Sequence, residues 1–251
     1  MGQVDLDFKP SVPVFDANVA LGRRHDRRVT SESAAQALAE MARVGIDRAL
    51  VYPAHGVAFD PRDGNDYLVE MLSGTTGLVP QFVANPTADD LDRFAAEAGE
   101  HGVKSVRMLP GAGGYPFRDW TVGEWLEWLA SEGMPLWLPA SDFDPSEVHD
   151  TLRGHSQVNV VLSDVHYVHV PWVMPMVRSL PNVHIEVSRF VIPDGITKLI
   201  DTVGPERVLF GSRFPDSPMA AQLYSVERSG MDQATLKAVC AGNLERLLYQ
   251  R

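Results

Sequence analysis

Short apolar runs alternate with amphipathic stretches along nearly the whole chain. The runs lie at Val12 to Asp16, Ala49 to Tyr52, Leu78 to Ala84, Val103 to Leu109, Pro135 to Leu138, Val158 to Leu162, Val183 to Val187 and Arg207 to Phe210. Each has the length and apolar character of a buried strand. Between them, apolar residues recur at helical spacing. Ala34, Ala37, Leu38 and Met41 share one face, with Thr30 and Ser31 as N-cap candidates and Gly45 as the stop. Tyr67, Leu68, Met71 and Leu72 lead to Gly74; Leu91, Phe94, Ala95 and Ala98 lead to Gly102, after a Thr87-Ala88-Asp89-Asp90 run that resembles a capping box. Trp125, Leu126, Trp128 and Leu129 end at Gly133, and Pro145 suits a first helical position. A short helix carries Trp172, Met176 and Val177 around Pro175, and another carries Ile196, Leu199 and Ile200. Two helical segments finish the chain, the last holding Leu236, Val239, Leu244, Leu247 and Leu248.

Strand signals that alternate with helical ones predict a parallel α/β fold. The expected architecture is a single-domain (β/α)₈ TIM barrel spanning residues 1–251. A doubly wound open sheet is the competing arrangement, but no G-x-G-x-x-G turn follows the first strand. No linker or low-complexity stretch divides the chain.

Composition narrows the partners. The formal net charge is −11 over 251 residues, and the Lys and Arg are scattered apart from Arg23, Arg24, Arg27 and Arg28. Nucleic acid and anionic membrane surfaces are therefore not expected. The one cysteine, Cys240, excludes an internal disulfide and a cysteine metal knuckle, in keeping with a reducing cytoplasm. No signal-like segment and no apolar stretch of membrane-spanning length is present, so a cytoplasmic protein is expected.

Barrels carry their chemistry at the carboxyl ends of strands. Those positions hold Asp16 and Asn18, Tyr52 and His55, Gln81 and Asn85, Arg107, Ser141 and Asp142, Asp164 and His166, Glu186, Ser188 and Arg189, and Arg213 and Asp216. Alternation of faces lets about half of them point into the mouth. The stretch Phe210-Gly211-Ser212-Arg213-Phe214-Pro215 reads as the last strand ending in a tight turn, with Arg213 at its end. The glycine-rich run Pro110 to Gly114 could cradle a phosphate, but it lacks the Walker spacing and lysine, and a mobile loop is the plainer reading. His25, His55, His166, His169 and His184 match no metal-ligand spacing.

Five landmarks in order, Asp16 to Gly22, Gly102 to Met108, Asn182 to Ser188, Arg207 to Pro215 and Asn243 to Leu247, resemble those of the amidohydrolase-related family. The resemblance spans nearly the whole chain and implies a TIM-barrel hydrolase or decarboxylase of the metal-dependent hydrolase superfamily. It also makes a homodimer an expectation.

The departures from the family pattern carry the functional reading. The family's first strand reads Asp-x-His-x-His, with both histidines on a divalent metal, and Asn18 and Ala20 stand there. Pro139 takes the place of the fifth-strand histidine, and Asp164 that of the sixth, with His166 two residues on. The family's Gly-Ser-Asp-Phe-Pro, whose Asp holds metal and activates water, is Gly-Ser-Arg-Phe-Pro, so Arg213 replaces the catalytic carboxylate. Ala20 and Pro139 offer no donor and a guanidinium repels a cation, so no metal and no cofactor are expected.

A fixed cation in place of a bound one admits two readings. Arg213 either closes an ion-pair network with Asp16 and Asp164, or binds a substrate carboxylate, with Asn18, Arg107 and Arg189 as further substrate-binding residues. The first functional class is a metal-independent hydrolase or lyase acting on a small carboxylated molecule. It would use Asp164 or Asp16 as general base, His166 as proton shuttle and Arg213 as anion clamp or oxyanion stabiliser. The second is a catalytically inactive barrel retained for ligand binding or assembly. An open polar mouth with Arg213 and His166 facing it favours catalysis or binding, and a mouth plugged by Trp, Phe or Met side chains favours decay.

Overall fold

The computed structural model describes residues 8–192 and 194–250. Its strands are β1 (Phe15–Leu21), β2 (Arg48–Pro53), β3 (Leu78–Pro80), β4 (Phe82–Ala84), β5 (Val106–Met108), β6 (Leu136–Pro139), β7 (Val160–Ser163), β8 (Val183–Glu186) and β9 (Val208–Leu209). Parallel ladders run β1-β2-β3 and β4 through β9 in sequence order. β3 and β4 form one barrel position interrupted at Gln81, whose N–H still reaches Val51 O at 2.8 Å. The ring closes where Ala17 N donates to Phe210 O (3.1 Å) and Ala20 N to Phe214 O (2.8 Å). The expected single-domain (β/α)₈ barrel is the observed architecture.

Two apolar layers hold it. Phe15, Ala17, Leu50, Trp137, Val161 and Leu209 fill the barrel interior and pack on Leu244, Leu247 and Leu248 of the carboxyl-terminal helix Asn243–Tyr249. A larger layer lies between strands and surrounding helices, with Val19, Leu21, Val51, Leu136, Leu138 and Leu162 among its strand members. Alternation along β1 would put Val19 beside Ala17 inside. A register shift between Asp16 and Val19 prevents this, so Asn18 and Ala20 face inward instead.

Several element ends differ from the sequence pattern. β1 starts at Phe15 and runs on to Leu21, because Pro13 has no N–H for the ladder while Val19 and Ala20 find partners on both sides. The helix Ala34–Val44 is capped by Ser33, which accepts from Gln36 N, rather than by Thr30 or Ser31. Asp90, not Thr87, caps Leu91–Glu100, and Thr87 instead hydrogen-bonds Asn85. The fourth run shortens to β5, since Val103 N returns to Ala98 O at the preceding helix end. The glycine-rich run is one helical turn, Pro110–Gly113, tied down by Asp142: its carboxylate accepts from Gly111 N (3.2 Å) and Ala112 N (3.0 Å). The amides a phosphate would use are already taken by that carboxylate.

One side chain repairs the interrupted third position. Asn65, on the helix Pro61–Leu72, donates to Val83 O (2.8 Å) and accepts from Val83 N (2.9 Å). Both backbone groups would otherwise be buried and unpaired at the gap. No helix among the described residues is long and apolar enough to cross a membrane.

Candidate functional site

Above the apolar filling, the barrel interior turns polar. Arg107, from the middle of β5, is 1 % exposed. Its Nε donates to Gln81 Oε1 (2.9 Å) and its Nη2 to Asn18 Oδ1 (3.0 Å), while Nη1 reaches Ser163 Oγ only at 3.5 Å. The Asn18 amide nitrogen donates in turn to Glu186 Oε2 at 2.8 Å. Glu186 also accepts from Ser188 Oγ (2.9 Å) and from Ser188 N. Gly211 makes room for this carboxyl, since a Cβ there would lie 2.3 Å from Glu186 Oε1. Burial pushes the Glu186 carboxyl up to about 8, the charge of Asp164 adding to the effect and the Ser188 and Asn18 hydrogen bonds opposing it.

Through Arg107 this network reaches a cavity of about 310 Å³ at the carboxyl ends of the strands. Its polar wall includes Arg107, Asp164, Arg213, Asp216 and Tyr52, and its apolar wall Val57, Ala58 and Leu109. The Tyr52 ring lies under the Arg107 guanidinium, 3.8 Å from Cζ to ring centroid. Ala20 and Pro139 also line the space. Among the described residues no Trp, Phe or Met side chain lines it.

Arg213 is committed to the protein. Its Nε lies 2.8 Å from Asp164 Oδ1 and its Nη2 lies 3.3 Å from Asp216 Oδ2. Asp216 also accepts from Arg24 (2.7 Å) and pairs with Arg27, both on the segment following β1. The expected ion-pair network therefore exists around Asp164 but omits Asp16. Asp16 is wholly buried and holds the turn: its Oδ1 accepts from Ser212 N (2.9 Å) and Asn18 N (3.0 Å). Its other oxygen has no partner among the described residues, and burial raises the carboxyl to about 6 against the pull of those hydrogen bonds.

The strand-end residues thus separate into three groups. Asn18 and Arg107 meet directly, and Asp164 and Arg213 meet at the cavity. Asp16 lies behind the cavity wall. His166 and Arg189 do not line the cavity; the His166 ring packs at 4.1 Å on Tyr167, and its backbone N–H reaches His169 Nδ1 at 3.2 Å. His184 is a core residue facing Asn159 Oδ1 at 3.3 Å, and burial lowers it to about 4. Among the described residues no three His, Cys, Asp or Glu side chains gather as a ligand set.

Tyr52, Gln81, Glu186 and Asp216 take parts that the strand-end pattern alone does not assign. Gly211 is the legible trace of one of them, because a glycine beside the Ser212 turn signals a close neighbour, here Glu186.

Solved structures share this barrel. An uncharacterised TIM-barrel protein from Bordetella bronchiseptica superposes with a TM-score of 0.76 at 14% identity, covering 96% of this chain and 98% of that one. 2,6-Dihydroxybenzoate decarboxylase from Rhizobium gives 0.77 at 14% identity, covering 94% and 98%. A putative 2-pyrone-4,6-dicarboxylic acid hydrolase from Pseudomonas putida gives 0.70 at 16% identity, covering 94% and 97%. At such identities the likeness is one of fold. No curated protein matches the sequence. The family description "amidohydrolase" matches residues 15–249, from the first residue of β1 to the end of the last helix, and the chain belongs to the amidohydrolase family.

Proposed function

We propose that this chain is a metal-independent hydrolase or lyase whose small carboxylated substrate is held by Arg107. The observation that carries the reading is the state of that guanidinium. It is buried, it lines the cavity, and its hydrogen-bond partners Gln81, Asn18 and Ser163 are all neutral acceptors. A buried cation without a counter-charge is costly, and a carboxylate bound through paired N–H groups offsets that cost. Arg213, by contrast, is already paired with two aspartates. The decarboxylase and the putative hydrolase that share the fold are both named for carboxylated ring compounds, which supports the same substrate class.

The donor set does not fit the metal of the resembling family. Ala20 and Pro139 bring no donor, the Asn18 amide is spent on Arg107 and Glu186, and Arg213 is itself a cation. In the proposed hydrolysis Asp164 takes a proton from the attacking water and returns it to the leaving oxygen as the C–O bond breaks. In a decarboxylation Asp164 passes a proton to the ring carbon as the C–C bond breaks and carbon dioxide leaves, with Arg213 beside it to stabilise developing negative charge. His166 and Asp16 lie off the cavity, so proton removal falls to Asp164, and Asp16 positions the turn that carries Arg213.

Chelator-treated protein is expected to turn over carboxylated lactones or hydroxybenzoates. Asp164→Asn should lower kcat by about 100-fold or more with binding retained. Stoichiometric zinc or manganese whose removal abolishes turnover would overturn the metal-free reading. A second reading, a ligand-binding barrel without catalysis, draws on the engagement of Asp164 by Arg213. Carboxylate binding with no turnover in either protein would select it.

A further inference from the structure

We propose that Tyr52 is a second recognition residue for the carboxylated substrate, its hydroxyl donating a hydrogen bond to the anion that Arg107 holds. This rests on the anion-binding reading of Arg107. Tyr52 sits at the carboxyl end of β2, followed by Pro53, and lines the same cavity as Arg107. Its ring packs under the guanidinium at 3.8 Å, closing one face of that group. Gln81 and Asn18 occupy Nε and Nη2, which leaves Nη1, with Ser163 at 3.5 Å, as the least satisfied edge.

The phenol is a further donor on the cavity wall, and the one that touches the Arg107 guanidinium through its ring. No described protein group takes its O–H, and the hydroxyl is not sealed from solvent, unlike that of Tyr115, which is buried without a partner behind the Pro110–Gly113 turn. Burial is the largest influence on Tyr52 and raises its pKa above the ordinary tyrosine value, so the O–H persists as a donor across the neutral range. A carboxylate has two oxygens and accepts from several donors at once, so a guanidinium edge and a phenol converging on one cavity suit it. The apolar wall of Val57, Ala58 and Leu109 suits the hydrocarbon body such an anion carries.

The test uses calorimetric titration of the full chain with benzoate, and with benzamide as the uncharged analogue. Wild type should bind benzoate and discriminate against benzamide. Tyr52→Phe, which keeps the ring under Arg107 and removes only the hydroxyl, should weaken benzoate binding about tenfold. Its unliganded melting temperature should match wild type, separating loss of a donor from loss of structure. Tyr52→Leu, which removes ring and hydroxyl together, should bind still more weakly, and Arg107→Met should not bind at all. Unchanged benzoate affinity in Tyr52→Phe, with binding lost in Arg107→Met, overturns the assignment of Tyr52 and leaves the Arg107 reading standing. Benzoate binding retained in Arg107→Met, or absent from wild type at tens of millimolar, overturns both.

Discussion

Asp164 and Arg213 meet across the mouth of the barrel, Nε to Oδ1 at 2.8 Å, and each does so from a left-handed backbone, at φ 57° and φ 60°. A non-glycine residue in that region costs about 1 kcal/mol or more, and arginine gains none of the local hydrogen bonding that eases aspartate there. The conformation is imposed from behind. Ser212 N is fixed by Asp16 Oδ1, and Phe214 N by Ser212 Oγ at 3.1 Å, so the residue between them has little freedom. Local strain at the end of β9 is thus coupled to the charge pair that the cavity displays.

That coupling separates two substitutions that delete the same charge. Arg213→Gly and Arg213→Ala both break the contacts to Asp164 and Asp216, but only alanine keeps a Cβ in the left-handed region. Glycine should therefore be the more stable variant by about 1 kcal/mol in urea unfolding. Equal stability, or a more stable alanine variant, would show that residue 213 carries no backbone strain.

The buried Glu186 makes stability depend on pH in a fixed direction. Its carboxyl titrates near 4.5 when solvated and is raised to about 8 in the fold, chiefly by burial. Below pH 4.5 both states hold the proton and its contribution is fully present. Between pH 4.5 and 8 the unfolded chain has released a proton that the fold retains, so stability falls as pH rises, by up to about 1.4 kcal/mol per unit. Glu186→Gln removes this dependence while keeping an oxygen for Ser188 N. The variant should gain on wild type steadily across that interval and be the more stable protein at pH 8. Asp16 is raised in both proteins and cancels in the difference. A difference that stays flat across that interval would mean that Glu186 is ionised in the fold.

The barrel was readable because apolar runs and helical spacing report burial directly, and both survive in a single sequence. Element ends were less so. The inward turn of Asn18 depends on a register shift in β1, and the split at Gln81 on a side chain, Asn65, that lies on a neighbouring helix. The site was legible as residue types at strand ends, which brought Asn18, Arg107, Asp164 and Arg213 into view. Their partners were not. Little that is local distinguishes an Arg107 surrounded by neutral acceptors from an Arg213 held by two aspartates, because Gln81, Ser163 and Asp164 come from other strand ends and only Asp216, three residues from Arg213, is near in sequence. For the same reason His166 reads as a mouth residue by its position after β7 but turns toward Tyr167.

Asp216 ties the segment after β1 to the mouth. Its carboxylate meets Arg24 at 2.7 Å, Arg27 on the same segment, and Arg213 at 3.3 Å. Asp26 offers Arg24 a second contact at 2.8 Å, but within the segment itself, so it cannot anchor that segment to the barrel. Exposed ion pairs contribute little, whereas a carboxylate only 17% exposed and shared by three guanidiniums is screened less. Asp216→Asn should therefore release residues 22–28 without unfolding the barrel. Arg23, Arg24, Arg27 and Arg28 supply trypsin with cleavage sites there. Cleavage in this segment is expected to accelerate on the order of tenfold in Asp216→Asn. Raising salt should move wild type toward the same rate, with the melting temperature little changed. An unchanged cleavage rate would place the anchor of the segment elsewhere, at Ser31 O, which accepts from Gly22 N at 2.8 Å.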